Sequence, residues 1–491
     1  MTDARLVDVS LRDGNQSLWG AVGVTTRTVE RVAPILDRVG YHAIELLSST
    51  QLAVAVRFHR EDPWQRIRAA SAAMPRTTLG FLTTGKRFIT FYRTSTTLFQ
   101  LAFRLLRKHG VTRMWVIDPM HDMEGTRQTA QMAKHAGFEE VVGGICYTTS
   151  PVHTDQYYAD SVAELDDCDA IDAVYLKDPA GLLTPERLRT LLPRLQQRLS
   201  HKRIDEIHSH CNTGMAPLTL LTAADMGVRT LHCALPPLAN GSSHTSAPRL
   251  VANLRTRGHK VEVDLEAMAE ASRVLQRAAA IRRLPTGVPA EYDEDYYRHT
   301  IPGGVISTLR RQLGEIGKVD LLPAVMEEAV RVRQDLGWPI VMTPFAQYIV
   351  TQATLNVMAG ERYRQVIDEV IDLLLGDFGA PPGPVDPDLL DRAHSSQRAR
   401  NRAAASEPPT LDQLRKRFDP GISDEDLLLR AVMPAEQVDA MVAERDKGRD
   451  GGLRALLRAL EDSRTTSSVS VTQGGATISI TRTPTRPEGA R

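Results

Sequence analysis

Eight short apolar segments recur along the first 235 residues, separated by longer stretches that have one apolar and one polar face. The short runs have the length of strands, and intervening stretches such as Thr26–Arg38 and Pro185–Arg198 have the length of helices. This alternation predicts parallel βαβ units, and eight of them favour an α/β fold, a closed (β/α)8 or TIM barrel, over an open doubly wound sheet. No GxGxxG follows the first strand to support the open sheet. The predicted strands are Leu6–Leu11, His42–Leu47, Thr77–Leu82, Met114–Asp118, Val141–Tyr147, Ala173–Lys177, Ile204–His210 and Thr230–Leu235.

The pattern becomes helical beyond about residue 290. Apolar residues recur every three to four positions in Val305–Ile316, Ala324–Leu336 and Tyr363–Leu375, which predicts three helices. Two alternating segments around Gly474-Gly475 are compatible with a hairpin, which is only marginally stable alone. We therefore expect a barrel domain (1–290), a helical extension that completes an active-site funnel (291–394), a linker (395–409), a small helical domain (410–462) and a mobile Ser/Thr-rich tail (463–491).

Charge and composition exclude several classes of protein. Sixty basic residues balance sixty acidic ones among 491, so no net charge favours nucleic acid or an anionic membrane. No run approaches the roughly 18 apolar residues of a membrane span, and the N-terminus does not resemble a signal peptide. The four cysteines include no CxxC pair, which argues against a disulfide framework or a zinc knuckle. We expect a cytoplasmic globular protein.

Polar residues collect where the predicted strands end, which is where a parallel barrel carries its chemistry. The first strand runs into Arg12, Asp13 and Gln16, and the seventh ends with His208 and His210. The two histidines share one face of the strand because they are two positions apart. With Asp13 they form a set of ligands suited to a divalent metal such as zinc or manganese. Two strand-end histidines with ordinary hydrogen bonds are the alternative.

Lys177 is conspicuous because only nine of the sixty basic residues are lysines and this one lies on a predicted core strand. Burial disfavours the charged ammonium and lowers the pKa of a lysine. A neutral amine can form a Schiff base, or it can react with carbon dioxide to give a carbamate that binds metal through oxygen. A simple ion pair with Asp178 is the alternative.

Taken together, these segments resemble the carboxyltransferase component of biotin-dependent enzymes, namely that of pyruvate carboxylase, oxaloacetate decarboxylase and transcarboxylase. The resemblance spans about Leu6 to Pro434, and several long motifs in the same order make it specific. The motifs are VDVSLRDGNQSLWG (7–20), YLKDPAGLLTPERL (175–188), IHSHCNTGMAPLTLLTAADMGV (207–228), PPLANGSSHTS (236–246), IPGGVISTLRRQL (301–313), VMTPFAQYIVTQATLNVMAGERY (341–363) and LDQLRKRF…DEDLLLRAVMP (411–434).

The resemblance implies an enzyme that moves a carboxyl group between carboxybiotin and a small 2-ketoacid, such as pyruvate or oxaloacetate, through a metal-stabilised enolate. It implies that Arg12 and Gln16 bind the ketoacid, with Arg12 and Lys177 also catalytic. Ser242 stands where the family has the threonine that passes a proton to biotin, and it is expected both to bind substrate and to act in catalysis. The implied ligands of the metal (zinc, manganese or cobalt) are Asp13, the carbamate of Lys177, His208 and His210.

The resemblance also implies partner proteins. No lysine lies in a Met-Lys-Met context, so we expect biotin on a separate carrier protein, together with a biotin carboxylase subunit. The family's barrels pair, which implies a homodimer.

Several positions depart from the family pattern. Thr84 replaces the arginine after the third strand, His232 an aspartate on the eighth strand, and His244 a glutamine. A biotin-independent, metal-dependent lyase or Claisen-type synthase of the same barrel superfamily is therefore an alternative, although such enzymes typically lack the lysine of the sixth strand. A catalytically weak scaffold subunit of a biotin carboxylase complex is another.

Overall fold

The computed structural model describes residues 2–85, 87–89, 94–403, 408–447, 467–473 and 476–482. Eight parallel strands pair in chain order, and the last pairs with the first, so the predicted (β/α)8 barrel is confirmed. Most strand bounds lie within a residue or two of those predicted. The strands are β1 (Arg5–Asp8), β2 (Ala43–Ser48), β3 (Thr78–Thr84), β4 (Arg113–Ile117), β5 (Glu140–Cys146), β6 (Ala173–Asp178), β7 (Ile204–Ser209) and β8 (Thr230–Cys233).

Strand β1 ends at Asp8 rather than at the predicted Leu11. The Asp8 carboxylate accepts hydrogen bonds from the backbone N–H of Ser10 (3.1 Å) and from its hydroxyl (2.8 Å), and a π-helical turn follows at Ser10–Gly14. The Ser10 hydroxyl oxygen accepts in turn from the backbone N–H of Leu235, beyond β8 (2.7 Å). This turn is therefore fixed to two neighbouring strand ends, and it carries the polar residues that follow the first strand.

Helices surround the barrel, and their apolar faces form one continuous core with the outer faces of the strands. A smaller core fills the barrel, where Val7, Trp115 and Tyr175 pack with Ile340 and Met342 of the helical extension. The extension therefore closes one end of the barrel. The helices of this region are Asn15–Trp19, Thr26–Val39, Ser49–Val54, Pro63–Ala73, Thr96–Lys108, Met123–His135, Asp155–Asp166, Pro185–Gln196, Ala216–Asp225, Ala247–Thr256 and Leu265–Arg282, with a π-helical turn at Ala55–His59.

The helical extension has a hydrophobic core of its own. Its helix Phe345–Ala359 was not predicted, because apolar residues cover most of its circumference and leave no amphipathic stripe. The predicted helix from Tyr363 begins only at Asp368, and Tyr363 itself has a left-handed backbone (φ 56°). The helices are Asp295–His299, Gly303–Glu315, Leu322–Asp335, Phe345–Ala359, Asp368–Leu374, Pro387–Ser395 and Gln397–Ala403, with a 3-10 turn at Val319–Leu321.

A small helical unit follows, formed by Leu411–Phe418, Asp424–Val432 and 435–447. Its buried Leu427 and Val438 join the core of the barrel rather than that of the extension. Beyond it, Ser467–Gln473 and Ala476–Arg482 pair as an antiparallel hairpin. The remainder of the predicted helical domain and tail lies outside the described residues, so the domain bounds and the mobility of the tail stay predictions.

Among the described residues, no helix combines the length and the apolar character needed to cross a membrane.

Candidate functional site

Four predicted site residues meet at the mouth of the barrel. Lys177 on β6 and His208 on β7 are register partners, and the Lys177 Nζ lies 2.8 Å from the His208 Nε2. Asp13 enters from the turn after β1, with its Oδ2 3.2 Å from the His208 Nε2 and 3.4 Å from the Nε2 of His210. The structure therefore brings together the four side chains predicted as metal ligands, and all are buried.

His244 adds a donor atom that the sequence analysis noted only as a substitution. Its Nε2 lies 2.9 Å from the Nε2 of His208 and 3.8 Å from the Oδ2 of Asp13. A β-bridge between His210 and His244 fixes the loop after β8 in this position. Asp13, His208, His210 and His244 thus offer donor atoms that all lie within 4.8 Å of one another.

The distances and charge states of this cluster fit a divalent metal. With metal–ligand bonds of roughly 2.0–2.2 Å, neighbouring donors around a tetrahedral ion lie about 3.3–3.6 Å apart, close to the distances from Asp13 to His208 (3.2 Å) and to His210 (3.4 Å). Burial lowers the pKa of His208 and of His244, which keeps both imidazoles neutral. Burial alone would raise the pKa of Asp13, but the charge of Arg12, together with the neighbouring His210 and Lys177, outweighs it and holds that pKa well below its usual value. Neutral imidazole and ionised carboxylate are the forms that bind metal.

Hydrogen bonds to the far ring nitrogens set the histidine tautomers. The Nδ1 of His210 lies 2.8 Å from the carbonyl oxygen of Ser242, so Nδ1 carries the proton. Glu206 accepts from the Nε2 of His232 (2.6 Å), which leaves the Nδ1 lone pair of His232 to accept from the Nδ1 of His208 (2.9 Å). The Nε2 lone pairs of His208 and His210 therefore both face Asp13, as metal ligation requires.

Arg113 anchors this chain of hydrogen bonds below the cluster. Its guanidinium forms ion pairs with Glu206 and Glu140, and the indole of Trp115 donates to Glu206 as well. Burial favours the protonated form of Glu206, but Arg113 and His232 outweigh it and lower the pKa of the carboxyl to about 2. Glu206 is therefore an anion that only accepts hydrogen bonds.

Lys177 has the electrostatic environment of a reactive amine. Burial lowers its pKa, and the attraction of Asp13 offsets only part of this effect. The neutral amine is thereby favoured relative to an exposed lysine, and the neutral amine is the form that attacks carbon dioxide.

Arg12 is buried and its charge is already paired. One of its terminal nitrogens lies 2.6 Å from each carboxylate oxygen of Glu45 and 2.8 Å from the Oδ2 of Asp13. Gln51 donates to the backbone oxygen of Arg12 (3.2 Å) and contacts the Oε1 of Gln16 at 3.5 Å. Arg12 and Gln16 are thus held in fixed positions beside the cluster.

A cavity of about 390 Å³ opens above the cluster, between the barrel and the helical extension. Ser242 lines it, with its hydroxyl donating to the backbone oxygen of Ser17 (2.9 Å). Thr84 also lines it, as does Arg87, which sequence analysis did not single out. The predicted site residues on its wall are Arg12, Asp13, Gln16, Lys177, His210 and Ser242, and the extension contributes residues such as Pro302, Gln312 and Gln347.

Residues 3–275 match the HMGL-like family, and residues 296–480 match the conserved carboxylase domain. The pyruvate carboxylase B subunit of Methanocaldococcus jannaschii is 32% identical over 88% of this chain and 76% of its own length. The large subunit of 2-oxoglutarate carboxylase from Hydrogenobacter thermophilus is 30% identical over 90% of this chain and 69% of its own length. The methylmalonyl-CoA carboxyltransferase 5S subunit of Propionibacterium freudenreichii subsp. shermanii is 28% identical over 87% of this chain and 85% of its own length.

Among solved structures, the carboxyl transferase domain of Rhizobium etli pyruvate carboxylase superposes with a TM-score of 0.81. It is 21% identical and covers 91% of this chain and 78% of that domain. At this identity the match shows a shared fold, and the assignment of residue roles rests on the geometry above.

Proposed function

The chain belongs to the biotin-dependent carboxyltransferase family that includes the pyruvate carboxylase B subunits, and we propose that it transfers a carboxyl group between carboxybiotin and a small 2-ketoacid. Pyruvate and oxaloacetate are the proposed pair, in keeping with the names of the relatives. The observation that carries the proposal is the buried cluster of Asp13, Lys177, His208 and His210 at the base of a cavity shared by the barrel and the helical extension.

We propose a divalent metal (zinc, manganese or cobalt) on Asp13, His208 and His210, with Lys177 as its carbamate supplying a further oxygen. The burial of Lys177, which lowers its pKa, supports this role, and His244 lies close enough to add a donor. When bound, such a metal supplies a Lewis acid for the ketone oxygen of the substrate. Arg12 and Gln16, fixed at the cavity wall, orient the ketoacid.

Ser242 is the proposed carrier of the proton. In the direction of carboxylation, the N–C bond of carboxybiotin breaks and its carbon dioxide bonds to the methyl carbon of pyruvate. The methyl group gives up one proton, which the Ser242 hydroxyl accepts and passes to the biotin ring nitrogen. A hydroxyl both donates and accepts, so the same oxygen serves both directions of the reaction.

Biotin is proposed to arrive on a separate carrier protein charged by a biotin carboxylase subunit, since relatives of this chain are named as subunits. The homodimer and the cytoplasmic location expected from the sequence are part of this proposal. Sedimentation of the purified chain tests the dimer, and a sedimentation coefficient of a monomer would contradict it.

The biotin-independent lyase is the second candidate, because the barrel matches the HMGL-like family. The first experiment is oxaloacetate decarboxylation by the purified chain with and without free biotin, with metal content measured on the same sample. We expect pyruvate release that biotin stimulates, and release that is indifferent to biotin would favour the lyase.

The same assay with Lys177→Ala addresses the scaffold alternative. The carboxyltransferase should lose turnover and bound metal. A Lys177→Ala chain that assembles with its partners and supports the same turnover as the wild type would favour the scaffold.

A further inference from the structure

Arg87 lies in the wall of the cavity, just beyond the end of β3. Thr84, the last residue of β3, forms a β-bridge with Arg87, so the chain folds back on itself at once. Gly85 makes this turn possible, since its φ of 56° is unfavourable for other residues and a Cβ there would lie 2.8 Å from the Oδ2 of Asp118. Arg87 is therefore held beside the position that Thr84 occupies.

Two arginines among the described residues line the cavity, and they differ in how their charges are paired. The guanidinium of Arg12 already contacts the carboxylates of Glu45 and Asp13. Arg87 is buried as well, yet it forms no ion pair with any carboxylate in the part of the chain that the structure describes. Asp118 is its nearby acidic group, and burial raises the pKa of that carboxyl to about 7, so its negative charge is incomplete at neutral pH.

Aromatic side chains of the helical extension hold Arg87 in place. Its guanidinium carbon lies 5.9 Å from the ring centre of Phe345 and 5.5 Å from that of Phe378, and it hydrogen bonds to the hydroxyl of Tyr348. Cation–π contacts stabilise a guanidinium through its face and leave its N–H edges available. A planar fork of N–H groups recognises a carboxylate through two parallel hydrogen bonds.

We propose that Arg87 binds the carboxylate of the 2-ketoacid, in place of an arginine at position 84. This inference rests on the proposed function and adds a substrate-binding residue and a substrate charge to it. The charge of Arg12 is already paired with Glu45 and Asp13, so of the two cavity arginines among the described residues Arg87 is the one whose charge a substrate carboxylate can neutralise. We assign Arg87 to the carboxylate next to the ketone. This group is present in both pyruvate and oxaloacetate, so it must be bound in both directions of the reaction.

The test compares Arg87→Gln and Arg87→Lys with Arg311→Gln, a matched control that removes an exposed arginine from the helix Gly303–Glu315 outside the cavity. The variant loses a charged hydrogen-bonded contact with the substrate, so we expect Arg87→Gln to raise the KM for oxaloacetate by about 10- to 100-fold. The kcat at saturation, the KM for biotin and the metal content should stay close to those of the wild type. Arg87→Lys keeps the positive charge and should raise the KM for oxaloacetate less than Arg87→Gln does. An unchanged KM in Arg87→Gln, or an equal rise in the Arg311→Gln control, would overturn the proposal.

Two further measurements separate this inference from the function on which it rests. Calorimetric titration with oxamate, a ketoacid analogue with one carboxylate, reports binding even where no turnover occurs; weaker binding by Arg87→Gln supports the proposal, and equal binding contradicts it. The double variant Thr84→Arg/Arg87→Thr, which moves the cation to the strand end, should recover binding relative to Arg87→Thr. A KM that rises for oxaloacetate while that for pyruvate is unchanged would overturn the assignment to the carboxylate next to the ketone.

Discussion

The imidazole rings of His208 and His232 face each other through their Nδ1 atoms at 2.9 Å. His232 lies on β8, where the family resemblance leads one to expect an aspartate. Its other nitrogen, Nε2, donates a hydrogen bond to Glu206. His232 and Glu206 together therefore accept the hydrogen bond from His208 that a single carboxylate at position 232 would accept directly. The orientation of His208, a proposed metal ligand, therefore depends on a carboxylate that lies one residue further away, beyond His232.

Glu206→Gln should weaken metal binding. An amide at this position can donate as well as accept, so it no longer forces the proton onto the Nε2 of His232, and His208 loses its fixed tautomer. Loss of such supporting partners typically costs about 10- to 100-fold in metal affinity, measurable by competition with a chelator. Glu140→Gln is the control, because Glu140 pairs with the same Arg113 and does not contact His232. Equal affinities for the two variants would show that the hydrogen-bond chain does not set the tautomer.

His244→Gln tests whether this histidine is a ligand. Because its Nε2 lies as close to His208 as the other donors do, we expect loss of His244 to lower metal affinity. The visible spectrum of the cobalt-loaded protein should also change, since it reports the number and kind of ligands. A spectrum and an affinity identical to those of the wild type would assign His244 a packing role.

Ser242→Ala should abolish biotin-coupled transfer while metal content is kept. General acid–base groups contribute about 100- to 10,000-fold, so the biotin-stimulated release of pyruvate should fall by at least about 100-fold. Ser242→Thr keeps the hydroxyl and restricts its rotamer, so it should retain activity. Loss of metal from Ser242→Ala would show that the residue acts through the metal site, because its carbonyl oxygen also bonds to His210.

Acid should destabilise the fold through the titration of Glu206. Its pKa is about 2 in the folded chain, against an ordinary value of 4.5, so the unfolded state binds the proton first as pH falls. The stabilisation, about 3 kcal/mol from the size of the shift, is present above pH 4.5 and is lost as pH falls towards 2. Thermal unfolding between pH 7 and pH 3 should show a smaller decline for Glu206→Gln than for the wild type. Parallel declines would contradict this assignment.

The strand ends were predictable because two properties of the sequence agree there. Apolar runs define the strands, and in a parallel barrel the residues that follow them meet at one mouth, so the pattern itself predicts that Asp13, Lys177, His208 and His210 lie together. The register of β6 against β7 then brings Lys177 and His208 into contact, although they are 31 residues apart in the sequence.

The residues that the sequence did not predict lie in loops, and the local sequence pattern does not predict the path of a loop. His244 and Arg87 belong to loops whose paths are set by bridges to His210 and to Thr84. Each was visible in the sequence, His244 as a substitution and Arg87 as one arginine among many. Only tertiary contacts reveal that one joins the donor cluster and the other the cavity wall.

The donor cluster and the residues that hold Arg87 in place are supported by different hydrophobic cores. The donor cluster is built on barrel strands and loops, whereas Phe345 and Phe378, which hold Arg87, belong to the extension. Substitutions in the extension can therefore reshape the acceptor pocket and leave the ligand geometry intact. The 2-ketoacid that such a chain accepts can therefore change through substitutions in the extension, while the donor cluster and the reaction stay the same.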